Sequence, residues 1–488
     1  MTRRFGRWSN SLECAAAFVV CLGLMLWVEF AGPAIVDNDG YYHIRWSWML
    51  RHSAPHLPRF EWLPLTVLRP ADYVDHHFLF HVLLTPFTFG DLRVGAKLAA
   101  PFFSAVALTA LFALLVAYRV RFRWLWLALL GAGSEQFLYR MSMTRAPSLS
   151  LALLAVGVWL ILRRKLGLLA LLTFAFVWTY SMFPLMVVFA FAYAVTVYLC
   201  EGRIDLGALL ASTIGAVLGL VINPYFPKNL ILMWQHVWMV GAATGGVDPG
   251  TEWFPFDTWE TLTWNVAICA ACFVALLVFD YRKRRDDNKP LFFLMLATLF
   301  LVFNLRWSRF VEYWPPFAVL FAAFTLSEAL AQARSRLQRL GMAALVVAVG
   351  AVLAMNVREA RSDVRTEADP DAMRGAAEWL AQHTQASSLV FNTGWDEFPA
   401  LFYYNQRNTY VCGLDPRYLS EANPDLGNLY ESIKKGTEEH PGQAIRKRFG
   451  AEYVVTDNSK DDFLQAARAS GDFDNVYSDS DALVLHVR

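Results

Sequence analysis

Apolar runs, most of them about the length of a bilayer-crossing helix, recur from residue 14 to residue 356 of this chain. They fall near 14–36, 95–117, 124–141, 147–162, 166–182, 184–200, 205–223, 263–280, 290–305, 310–330 and 340–356. A hydrocarbon core of ~30 Å takes about 20 helical residues, and backbone crossing it must satisfy its own hydrogen bonds. The pattern therefore predicts a polytopic, mostly α-helical bundle of about eleven spans. The third run is interrupted by Glu135 and Gln136. Only 17% of residues are charged, against 56% hydrophobic, where a soluble protein carries about a quarter charged. A net charge of +1 with no basic, aromatic-interleaved face argues against a nucleic-acid partner.

Basic residues set the orientation. With Arg3, Arg4 and Arg7 cytoplasmic, alternation puts five clusters on the same side. These are Arg119/Arg121/Arg123, Arg163/Arg164/Lys165, Arg203, Arg282/Lys283/Arg284/Arg285 and Arg334/Arg336/Arg339. Arg140 and Arg145 fall on the other side and are the discordant pair. The basic N-terminus leads into an apolar stretch too long for a signal peptide, and is read as a retained first span. Five of the six cysteines lie in or beside apolar runs, so no disulfide framework is legible. Cys269 and Cys272 are read as small helix-packing residues.

Three segments then share the outer face: a first loop at 37–94, a loop at 224–262, and everything after 356. The chain thus divides into a membrane domain, 1–356, and an extracytoplasmic tail, 357–488. The tail has the alternation of a small α/β domain. "PDAMRGAAEWLAQHT" and "KDDFLQAARASG" are helical by spacing, "SLVFN" and "EYVVTD" read as strands, and "FDNVYSDSDALVLHV" as a closing hairpin.

The outer boundary carries the chemistry. Asp37 and Asp39 in "VDNDGYYHIRWSWML" stand where the first span leaves the bilayer. Charge near hydrocarbon is costly and tends to be paired or functional. Later in the same loop, "DYVDHHFLFH" supplies Asp75, His76, His77 and His81. In a helix His77 and His81 would share a face. Carboxylate beside imidazole suits a divalent cation or a proton-transfer site. In "NLRWSRFVEYWPPF", Arg306 and Arg309 sit at the outer boundary. A planar guanidinium there suits a phosphate, although arginines beside tryptophans also serve as snorkelling anchors. Acids plus arginine on one rim point to a lipid-phosphate substrate attacked by an oriented nucleophile.

"NDGYY" after the first span, "SRFVEYWPP" late in the chain and "NTGWDEFPALFYY" in the tail resemble, in that order, the catalytic subunit of oligosaccharyltransferase and its single-subunit prokaryotic relatives. More broadly they resemble class C membrane glycosyltransferases. The resemblance spans the whole chain and implies the GT-C fold. It also implies inverting transfer of a sugar or glycan from a polyprenyl phosphate or diphosphate to a protein, lipid or polysaccharide acceptor on the outer face of the cell membrane. By resemblance, Asp39, assisted by Asp37, orients the acceptor and contacts a metal, Mg2+ or Mn2+. Arg309, with Arg306, grips the donor phosphate. Trp395 and Asp396 match a Trp-Trp-Asp acceptor motif, with Gly394 in place of its first tryptophan. The loop "GGVDPGTEWFPFDTWETL" would hold a catalytic glutamate, Glu252 or Glu260. A second acidic pair expected near "YRMSMTRAPSLSL" is missing. Arg140 and Arg145 stand there instead, leaving Asp75 and His76 or His77 as replacement metal ligands beside Asp39. True asparagine-linked transfer is the alternative within the enzyme class. A non-enzymatic flippase or accessory protein is the alternative outside it.

Overall fold

In the computed structural model, residues 2–241, 250–285, 287–332 and 336–488 are described. The "GGVD" start of the middle-loop motif and Arg334 lie outside the described residues. Among the described residues, six helices are long and apolar enough to cross a membrane: Asn10–Glu29, Leu92–Ala117, Pro184–Glu201, Lys289–Arg306, Trp314–Ala331 and Gln338–Thr366. A bent pair, Thr258–Trp264 and Val266–Val278, meets at 81°. The apolar helices Pro147–Leu162, Leu166–Thr179 and Gly207–Val221 are shorter. The molecule is a helical membrane bundle, with several of the expected runs too short to span as single straight helices.

The third expected run, 124–141, is not one helix. It splits into Arg123–Gly131 and Glu135–Met141, with Ser134 capping the second by accepting the Phe137 N–H at 3.4 Å. The break falls at "GAGS", two glycines and a serine that disfavour helix, and a Cβ on Gly133 would lie 2.3 Å from Ile268 Cδ1. The short second piece carries Arg140 to Glu312 and Glu252 beside a cavity. Glu29, the acid at the end of the first span, is fully buried. The Lys97 ammonium satisfies that end, donating to the Glu29 carbonyl (2.7 Å), its carboxylate (3.3 Å) and the Ala34 carbonyl (2.6 Å). Its role is structural: a paired charge and a helix end closed together.

The last long helix runs unbroken from Arg336 to Thr366, carrying helical backbone past residue 356 and into the tail. The tail forms a five-stranded sheet of order β2-β1-β3-β5-β4. Its strands are β1 (Leu389–Asn392), β2 (Thr409–Tyr410), β3 (Tyr453–Asp457), β4 (Phe473–Ser478) and β5 (Ala482–Val487). β1 lies parallel to β2 and β3, while β5 is antiparallel to β3 and β4. The two expected strands, the closing hairpin and helices at Arg374–His383 and Asp461–Ser470 are all present.

The tail does not bury its core alone. One face of the sheet closes over Phe391, Tyr430, Ile445 and Phe463. The other shares a cluster with the first loop, where Tyr42, Trp46, Phe60 and Tyr73 pack with Phe398, Phe402, Tyr410 and Val455. Main-chain bonds join the two: Tyr410 N–H donates to the Trp62 carbonyl (2.8 Å) and Val67 N–H to the Tyr418 carbonyl (3.1 Å). Arg45 adds two bonds to the Tyr403 carbonyl, at 2.9 and 2.6 Å. Burying large aromatics contributes about 1.5–3 kcal/mol each, so loop and tail are packed together as one cap.

Candidate functional site

The first loop supplies two acid groups with different fates. Asp37 holds a left-handed backbone, φ 69°, a conformation that aspartate tolerates better than most residues. Asp39 then opens the helix Asp39–Ser53. Gly40 is required next: a Cβ there would meet Ile35 Cγ2 at 2.5 Å. This tight turn points both acids at the junction of bundle and cap.

Asp75 is engaged differently, although it too lines a cavity with Asp39. The helix expected across Asp75–His81 begins only at Phe78, and Asp75 caps the turn before it, accepting the His77 N–H at 3.0 Å. Its buried carboxylate lies 2.8 Å from His81 Nδ1 and accepts the Trp46 indole N–H at 2.9 Å. His81 Nε2 is 2.7 Å from His43 Nδ1. Burial pushes the Asp75 carboxyl up, but His81 and the Trp46 donor outweigh it and hold it below the usual range. His77 stacks on Tyr180 (5.4 Å, 21°) and meets the His76 ring at a tilt (4.1 Å, 45°). Burial, reinforced by His76, keeps it well below its usual pKa.

A second cluster joins four elements. Arg145 comes from the turn before the helix Pro147–Leu162, and Arg140 from the short helix Glu135–Met141. Arg309 comes from the turn Ser308–Glu312, and Glu252 from the middle loop. Arg145 reaches Asp39 at 3.1 Å, Glu252 at 3.4 Å and Asp37 at 3.5 Å. Arg140 donates to Glu312 at 2.6 Å and to Glu252 at 3.1 Å. Arg309 lies 3.3 Å from Glu252 and donates to the Tyr180 hydroxyl at 3.0 Å, its guanidinium 4.5 Å from the centre of the Trp253 ring. Three guanidiniums thus converge on one carboxylate. Burial pushes Glu252 up, but Arg309, Arg145 and Arg140 overcome it and hold Glu252 well below the usual range. Burial pushes Asp39 up to about 7, with Arg145 opposing and Asp37 and Glu252 adding to the rise.

Two cavities meet here. One, of about 150 Å³, is lined by Asp39, His77, Arg145, Tyr180, Glu252 and Arg309. The other, of about 830 Å³, is lined by Asp37, Asp39, Arg140, Arg145, Trp395 and Asp396. Asp39, Arg145 and Glu252 border both. The early carboxylate and the late guanidinium expected to work together therefore share one cavity.

Some expected residues are elsewhere. Arg306 is exposed and stands over the Trp307 ring at 5.5 Å, the anchor role open to it from sequence. Glu260 is exposed in the first turn of Thr258–Trp264, so Glu252 is the glutamate at the site. Trp395 and Asp396 lie in a turn at the larger cavity. At Gly394 before them a Cβ would meet Asp396 Oδ1 at 2.4 Å, so a side chain there would displace the Asp396 carboxylate. Tyr180, Glu312, Trp253 and the Asp415–Arg417 pair were not singled out from sequence. Arg140 and Arg145 did leave a signal, as charges on the wrong side of the positive-inside pattern.

A divalent ion does not fit the expected ligands. Asp75 is bonded to His81 and Trp46, His77 is stacked, and Arg145 stands between Asp37, Asp39 and Glu252. Among the described residues no three His, Cys, Asp or Glu side chains group to hold a metal.

No family model matches this chain, and no curated protein does. Solved structures do. The oligosaccharyltransferase AglB from Archaeoglobus fulgidus, in complex with an inhibitory peptide and a dolichol-phosphate, superposes with a TM-score of 0.68 at 13% identity, over 92% of this chain and 70% of that one. An Archaeoglobus fulgidus oligosaccharyltransferase tethered to an acceptor peptide containing the NVT sequon gives 0.64 at 12%, over 99% and 75%. ArnT from Cupriavidus metallidurans bound to undecaprenyl phosphate gives 0.57 at 16%, over 96% and 97%. The chain has the fold of GT-C membrane glycosyltransferases.

Proposed function

We propose that this protein is an integral membrane glycosyltransferase that moves a sugar or glycan from a polyprenyl phosphate or diphosphate to an acceptor on the extracytoplasmic face. The observation that carries this reading is the convergence of Arg140, Arg145 and Arg309 on a single carboxylate, Glu252, at a cavity that Asp39 also lines. Such a cluster sets three guanidiniums beside a cavity of restricted water, where charge-assisted hydrogen bonds are strongest and a donor phosphate would exchange with the acids now paired to them.

In this reading the acceptor enters from the larger cavity and the donor headgroup from the smaller one. The acceptor's heteroatom forms a bond to the anomeric carbon as the bond from that carbon to the phosphate oxygen breaks. Attack opposite the leaving group inverts the anomeric centre. The acceptor's proton passes to Asp39, and the electron pair leaves on the phosphate, where Arg309 meets the developing charge. A carboxyl with a pKa of about 7 is suited to receive a proton near neutral pH. The cap formed by first loop and tail keeps bulk water from the glycosyl centre.

Trp395 and Asp396 border the same cavity as Asp37 and Asp39, and this favours a peptide as acceptor, with asparagine-linked transfer the specific case. Cells lacking the gene, compared with cells complemented by the wild type, test the reading by mass spectrometry of lipid-linked glycans and glycopeptides. Accumulation of the lipid-linked donor with loss of a glycosylated product is the expected result. Unchanged pools of both would refute it.

A further inference from the structure

Arg145 sits among three carboxylates, one of which, Asp39, is an expected metal ligand. A divalent ion needs carboxylate oxygens gathered about one point at roughly 2.0–2.6 Å. Here the Arg145 guanidinium lies among Asp39 (3.1 Å), Glu252 (3.4 Å) and Asp37 (3.5 Å), with one terminal nitrogen facing Asp37 and Glu252 and the other facing Asp39. These carboxylates come from two segments far apart in sequence, the first outer loop and the middle loop. A guanidinium spanning them ties the two together as a bound cation would.

The arginine's own position is fixed. Thr144 beside it donates to the Ala96 carbonyl at 3.0 Å, and Pro147 follows at the start of the next helix. Only 18% of its side chain is accessible. Arg145 also borders the smaller cavity alongside Arg309 and Tyr180, where a departing phosphate is placed in the reading above.

We propose that Arg145 is a tethered substitute for a divalent cation, positioning Asp37, Asp39 and Glu252 and facing the leaving phosphate, so that this enzyme transfers its glycan without a metal ion. The proposal rests on the glycosyltransferase reading for its second half. Its first half, that an arginine holds a cation's place among three acids, concerns the free protein.

Mn2+ binding to the full chain in lipid nanodiscs, followed by electron paramagnetic resonance without substrate, tests the free protein. Wild type is expected to bind less than about 0.1 Mn2+ per chain at about 1 mM, the weak end of protein carboxylate sites. Arg145→Asp, which adds a ligand and removes the cation, is expected to bind close to one. Arg145→Ala serves if the aspartate variant does not fold, as judged by size-exclusion profile. Mn2+ bound by wild type and lost in Asp39→Asn overturns the proposal, as does a folded Arg145 variant that gains no site.

The activity arm uses membranes of cells producing the protein and follows release of polyprenyl phosphate from their lipid-linked glycans. Excess EDTA is expected to change wild-type release by less than about twofold, while the Arg145→Ala rate falls and is raised about tenfold by Mn2+. A wild-type rate abolished by EDTA and restored by Mn2+ overturns the proposal. Absence of any release in wild type refutes the transferase reading, and the resonance experiment then still decides the role of Arg145.

Discussion

Two acid clusters in the first loop, Asp37/Asp39 and Asp75 with its histidines, look alike in sequence and differ completely in the folded chain. Asp75 also lines the smaller cavity, but it is closed: both of its oxygens have partners in His81 and Trp46. Asp37 and Asp39 are open. They border a cavity, face a guanidinium rather than a full set of donors, and one buried Asp37 oxygen has no hydrogen-bond partner. A carboxylate whose bonding capacity is filled by the fold stabilises the fold. One left partly unfilled beside a cavity is available to chemistry.

Substitutions separate the two. The largest effect is expected from Asp39→Asn, a loss of about 10²–10⁴-fold in transfer, the range of a general base, with the melting temperature unchanged. If the open and closed descriptions were reversed, that variant would lose stability instead. Next is Arg309→Ala, expected to weaken donor capture about 10–100-fold as a rise in KM, with Arg309→Lys recovering part of it because charge is restored without the planar fork. Asp75→Asn is expected to show itself first as stability, a loss of about 2 kcal/mol from the buried network, read as earlier loss of the folded peak on heating.

The pH profile sharpens the contrast further. Asp39 acts as a base only when ionised, and its folded pKa is raised to about 7. Transfer is therefore expected to rise with pH and reach half its limit near 7. Asp75 is held below the usual range, so it stays ionised over that window and contributes no limb. The smallest effects belong to Arg306→Ala and Glu260→Ala. Both residues are exposed and away from the cavities, and changes of less than about twofold in transfer are expected. A large loss from either would redraw the boundary of the site.

Sequence alone determined the class of architecture, because apolar length and period-two alternation are local properties that each segment carries by itself. It placed β1, β3 and the β4–β5 hairpin of the tail, and it singled out Asp39 and Arg309. It drew 124–141 as one run, whereas the chain breaks at "GAGS", where Gly133 lets Ile268 approach across the bundle. It grouped Asp75 with Asp39, because what separates them is which donors arrive: Trp46 and His81 for one, Arg145 for the other. Charge sign is written in the chain, and Arg140 and Arg145 stood out there as discordant. Whether a charge is spent on the fold or left facing a cavity depends on partners from distant segments, and only the tertiary structure brings those partners together.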